Sequence, residues 1–92
     1  MRTNHLHETH PDIVKRLKRA AGHLNSIITM IEGERSCLEL AQQLHAVESA
    51  IANAKKTLIH DHIDHCLDAS VRGNGTASRN AFREFKEITK YL

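Results

Sequence analysis

The chain has no tryptophan, a single proline, four glycines and only three aromatic residues, Phe82, Phe85 and Tyr91. Its core must therefore be assembled from Leu, Ile, Val and Ala, and a 92-residue monomer built this way has a thin one. Chains of this size commonly gain stability by associating, by binding metal or by forming disulfides. Two cysteines are too few for a disulfide framework. Long apolar runs are missing as well: none reaches the ~18 residues of a membrane span. The first ten residues are polar and hold His5, His7 and His10, which reads against a secretory signal. The expectation is a cytoplasmic protein with no membrane partner and with reduced thiols. In that setting a Cys and His pattern reads as a metal site or thiol sensor.

Charge of one sign is also scarce. A net charge of +2 neither establishes nor excludes nucleic acid as a partner, while 40% apolar and 26% charged residues describe a folded domain. Histidine, in contrast, is abundant, with eight in 92 residues, and together with two thiols this points to transition metals. No arrangement of nucleophile, general base and pocket stands out, so neither an enzyme nor a small organic substrate is expected.

No strand alternation, internal repeat or low-complexity tract occurs, and the apolar residues recur at helical spacing. Residues 1–10 read as a flexible, histidine-containing arm and residues 11–92 as one helical domain. A first helix over about 11–32 is drawn from Ile13, Leu17, Ala20, Leu24, Ile27, Ile28 and Ile31, with Thr9 and Asp12 as caps and Leu17 facing the core. Gly33 is expected to stop it, and Ser36-Cys37-Leu38-Glu39 has the form of a capping box. A second helix follows over about 37–70, because no Gly or Pro intervenes before Gly73. After the loop Arg72-Gly73-Asn74-Gly75-Thr76, a third helix over about 78–91 is marked by Phe82, Phe85, Ile88 and Leu92, with Thr76 or Ser78 as its cap. The fold class is all-α with three helices. A second helix of ~33 residues would be ~50 Å long, and it needs partners along its whole length. Two antiparallel hairpins pairing as a four-helix bundle would supply them, so a homodimer is expected.

His62 and Cys66 stand four apart on the second helix, on one face and at chelating distance. Cys37 is the natural third ligand. It precedes His62 by twenty-five residues on the same predicted helix, which puts the two ~37 Å apart within one chain. Antiparallel packing of two copies would bring Cys37 of one chain beside His62 and Cys66 of the other, with two symmetry-related sites per dimer. The arm histidines could fold over such a site and add a nitrogen ligand. His60 and His65 are expected at the surface. His23 and His45 read as polar-face or interface residues, and Asp61, Asp64 and Asp68 as solvated helix charges.

Arg16-Leu17-Lys18-Arg19-Ala20-Ala21-Gly22-His23-Leu24, the Glu32-to-Cys37 turn, Leu40-Ala41-Gln42-Gln43-Leu44-His45-Ala46-Val47 and Asp61-His62-Ile63-Asp64-His65-Cys66 resemble the CsoR/RcnR family of metal-sensing repressors, over about residues 11–92. The resemblance implies a three-helix protomer, an antiparallel four-helix-bundle dimer and a tetramer made of two dimers. It implies further that the metal-free protein binds operator double-stranded DNA without a helix-turn-helix, and that metal bound between subunits releases it and derepresses an efflux gene. Cys37, His62 and Cys66 fall at the family's ligand positions. Nickel and cobalt sensors of the family add an N-terminal nitrogen ligand, whose position falls on His5, with His7 the near alternative. Copper sensors carry a tyrosine just before the first cysteine, where this chain has Ser36. The expectation is accordingly a repressor released by Ni(II) or Co(II). A Cu(I) sensor using Cys37, His62 and Cys66 and a thiol-reactive sensor are the competing readings, and Zn(II) is a further candidate ion.

Lys15, Arg16, Lys18 and Arg19 place four cations within five residues. Repeated in an oligomer they would form a wide basic surface suited to phosphates, which Lys55 and Lys56 would extend.

Overall fold

The computed structural model describes residues 9–72 and 75–92. They form three α-helices, α1 (His10–Glu32), α2 (Cys37–Arg72) and α3 (Gly75–Ile88), and a 3-10 turn at Thr89–Tyr91, with no strand among the described residues. The fold is thus an all-α, three-helix protomer. None of these helices is long and apolar enough to cross a membrane. Packing divides the chain into two compact units, one of His10–Lys55 and one containing Thr9 and Lys56–Leu92.

The first unit contains α1 and the beginning of α2. Its buried side chains are Ile13, Ala20 and Ile27 from α1 and Val47 and Ala54 from α2. Each set repeats every seven residues, or two helical turns, so each helix has one apolar row covered. His23 bonds Gln43, and Asp12 and Arg16 share a cleft with Ala50 and Asn53, which is the register of an antiparallel hairpin. The other apolar row of α1 is uncovered in a single chain: Val14, Leu17, Leu24, Ile28 and Ile31 are 42–53% exposed. Leu17 therefore does not face this unit's core as expected, because one partner helix covers one row and not two.

The turn between α1 and α2 closes as a Schellman motif. Arg35 N–H donates to Met30 O at 3.1 Å and Glu34 N–H to Ile31 O at 3.1 Å. The residue in the left-handed conformation is Glu34, with φ 60°, and not the Gly33 expected to end the helix. Gly33 still donates to Thr29 O at 2.9 Å and so continues the helical pattern by one residue. Ser36 Oγ then accepts the Glu39 N–H at 3.2 Å. That is one half of the capping box; the Glu39 carboxylate is drawn to Arg35 Nη1 at 2.8 Å. Thr9, expected to cap α1, donates its hydroxyl to Asp61 Oδ2 at 3.1 Å, while the Asp12 carboxylate pairs with Arg16 Nε at 2.8 Å.

The second unit pairs the later part of α2 with α3. Ile59, Cys66 and Ala81 are its buried apolar residues. Phe82 and Phe85 stack with ring centroids 6.4 Å apart. α3 begins at Gly75, which has φ 53°, so Thr76 and Ser78 lie inside the helix and do not precede it. Its last expected turn winds instead as the 3-10 segment.

Candidate metal centre and nucleic-acid face

One helical turn of α2 sets His62 directly before Cys66, and α3 brings Glu84 to the same place. One donor atom from each of these three residues lies within 4.8 Å of the other two. His62 Nε2 is 3.2 Å from Glu84 Oε1. Cys66 is buried, His62 half-buried and Glu84 exposed. Burial pushes the Cys66 thiol above its ordinary range, and the nearby Glu84 carboxylate adds to the effect, since both disfavour a second negative charge there. Thr9 donates its hydroxyl to Asp61, the residue next to His62 in the sequence.

The arrangement offers a metal one imidazole and one sulfur. Glu84 was not anticipated from the sequence, where it is eighteen residues beyond Cys66. No local spacing links the two, because the approach of Glu84 depends on how α3 returns along α2. Cys37 is exposed in the first turn of α2 and does not join the His62, Cys66 and Glu84 group. His5 and His7, the expected nitrogen ligands, lie outside the described residues. His65 is half-buried and not at the surface as expected, with its Nδ1 3.0 Å from the Asp61 carbonyl one turn back on α2. His60 is exposed, and His45 is exposed with its Nδ1 3.9 Å from Glu48.

Lys15, Arg16, Lys18 and Arg19 are all exposed on α1, and Lys55 and Lys56 are exposed on α2. Arg16 and Arg19 line a cleft of about 630 Å³ with Asp12, Ala20, His23, Ala50 and Asn53. The ion pair from Arg16 to Asp12 is solvent-exposed, and pairs of that kind hold weakly enough for a phosphate to compete. Two of the four cations of α1, Arg16 and Arg19, thus border the cleft. The sequence contained the basic face of α1 as a charge cluster, but it could not show that Asn53 of α2 forms part of the wall.

A family model described as metal-sensitive transcriptional repressor matches residues 9–92. The copper-sensing transcriptional repressor CsoR of Mycobacterium ulcerans is 39% identical over 80 residues, covering 86% of this chain and 68% of that protein. CsoR of Mycobacterium tuberculosis is 33% identical over 79 residues, covering 85% and 64%. CsoR of Bacillus subtilis is 36% identical over 80 residues, covering 85% and 79%. The chain thus spans about two thirds of the length of these mycobacterial relatives. No solved structure matches it. The copper-sensing relatives overturn the expectation of a nickel- or cobalt-released repressor with Ni(II) as its main ion. That expectation gave weight to Ser36 in place of a tyrosine and to arm histidines whose placement is not described.

Proposed function

The chain belongs to the family of metal-sensitive transcriptional repressors, and on that premise we propose that it holds operator DNA when metal-free and releases it on binding Cu(I). The observation that carries this reading is the pairing of His62 with the buried Cys66 within 4.8 Å on one face of α2. A thiolate and an imidazole, completed by a second thiolate, form a soft donor set suited to Cu(I). The relatives named above sense copper.

In this reading Cys37 of a second copy supplies the second thiolate. Glu84 is a hard oxygen donor and a poor ligand for a soft ion. Its carboxylate lies 3.2 Å from His62 Nε2, where it can orient the imidazole. Cu(I) would contribute a centre that favours two sulfurs and one nitrogen and so ties two chains together. Lys15, Arg16, Lys18 and Arg19, with Lys55 and Lys56, hold phosphates in the metal-free state. The assembly is a dimer or a tetramer of two dimers in the cytoplasm, with the uncovered row of α1 at an interface between chains. By linkage, operator DNA weakens Cu(I) binding by the same factor by which Cu(I) weakens DNA binding.

The test uses reduced full-length protein and a duplex first selected by the metal-free protein from random DNA. Stoichiometric Cu(I) is expected to release that duplex, while Ni(II) leaves it bound. Release by Ni(II) and not by Cu(I) would overturn the proposal.

A further inference from the structure

α3 carries a second basic surface that takes no part in the metal centre. Arg79, Arg83, Lys86 and Lys90 recur at intervals of four, three and four residues, so they fall along one face of the helix. Together with Phe82 and Glu87 they line a groove of about 510 Å³. Four cations against one carboxylate leave this groove strongly positive. Lys90 is paired with that carboxylate at 2.9 Å, and Arg79 donates to Thr76 Oγ1 at 3.4 Å. Lys86 lies over the Phe82 ring, 5.5 Å from its centre, and the ring is itself 56% exposed. A solubilising face usually alternates charges of both signs; this one gathers one sign around an exposed aromatic ring.

We propose that the α3 groove binds the phosphate backbone of duplex DNA, separately from the basic face of α1. The proposal rests on reading the chain as a DNA-binding repressor and extends it to a second element. Charge complementarity selects the occupant: from Arg79 to Lys90 the four cations are spread over eleven helical steps, ~16 Å along the helix axis, which matches the rise of about five phosphates of one strand. Phe82, 56% exposed beside Lys86, offers apolar surface against which a deoxyribose packs between two bound phosphates. Phosphate binding of this kind adds affinity without reading sequence, so it would lengthen the stretch of DNA occupied and leave its base preference unchanged.

The test compares wild-type metal-free protein with R79Q/R83Q and with K18Q/R19Q on a short operator duplex and on one extended at both ends, from 50 to 200 mM salt. Thermal unfolding confirms that each variant is folded. R79Q/R83Q is expected to make the slope of log affinity against log salt shallower by about one for each phosphate no longer neutralised, on the extended duplex more than the short one. Across that salt range each such phosphate is a difference of about 3.5-fold in affinity. An unchanged slope for R79Q/R83Q beside a reduced slope for K18Q/R19Q overturns the α3 groove as a DNA-binding surface and leaves the repressor reading standing. Failure of the wild-type protein to bind any duplex removes the repressor reading and this inference together.

Discussion

Cys66 is subject to opposed demands. Burial and the Glu84 carboxylate hold it as a neutral thiol, whereas a metal ligand must be a thiolate. On the proposed Cu(I) reading, uptake expels the Cys66 proton, and affinity should rise with pH by about tenfold per unit for each proton displaced. Competition with a Cu(I) chelator between pH 6 and 8 measures that slope, and a flat profile would mean that Cys66 stays protonated or unused. The same raised thiol acts on the metal-free fold. Its stabilising contribution is complete below the ordinary thiol range and is lost as pH climbs through the higher value in the folded protein. The unfolding temperature should thus fall above the ordinary thiol range in the wild type and fall less in Cys66→Ser. Glu84→Gln separates the two duties of the carboxylate. It should lower the Cys66 pKa, so that alkylation of the metal-free thiol at fixed pH speeds up, yet weaken Cu(I) binding by about 10- to 100-fold because His62 loses its orienting partner. If both readouts stay at wild-type values, Glu84 has neither role. The His62 and Cys66 pair was legible in the sequence because helical spacing alone places the two together. Glu84 was not, since its approach depends on how α3 returns along α2.

At the scale of elements, the turn from α1 to α2 positions Cys37 and contains a residue in an unfavourable conformation. Glu34 is left-handed at φ 60°, which costs a residue with a Cβ roughly 1–2 kcal/mol relative to the right-handed form. Glu34→Gly removes that cost and adds back some unfolded-state entropy, so a net gain of about 1 kcal/mol is expected. For a domain of this length that is a rise of about 4–8 °C in Tm. Ser36→Ala removes the acceptor of the Glu39 N–H and should lower stability by about 1 kcal/mol. Denaturant unfolding of both variants checks the pair, and a stabilised Ser36→Ala would contradict the cap. Three helices were readable from apolar periodicity because a recurring face is a local property. The choice of Glu34 over Gly33 as the left-handed residue was not, because the motif is set by which carbonyls Glu34 and Arg35 reach. The start of α3 was equally hidden, since Gly75 reads as loop until its helical neighbours are seen. Periodicity also could not tell the covered row Ile13, Ala20 and Ile27 from the exposed row of Val14, Leu17 and Leu24.

For the whole molecule, the decisive question is where Cys37 finds its partners. It is exposed at the start of a 36-residue helix, it stands outside the group formed by His62, Cys66 and Glu84, and the chain around it leaves Leu38, Leu44 and Ile51 45–70% exposed. Exposed apolar rows of that size on two helices favour association, and association can bring in a second copy's cysteine. Subunit mixing distinguishes a shared site from one completed within a chain. On the proposed shared site, Cys37→Ser and His62→Ala should each abolish tight Cu(I) binding alone, because each removes one ligand from every site. Unfolded together in equal amounts and refolded, half of the resulting dimers are hybrids. In a hybrid one site has lost both residues, while the other combines the intact Cys37 of one chain with the intact His62 and Cys66 of its partner. Tight binding should therefore return to about a quarter of the wild-type capacity. A site assembled within one chain would recover nothing on mixing, and that result would remove the inter-subunit switch while leaving the three-helix protomer untouched.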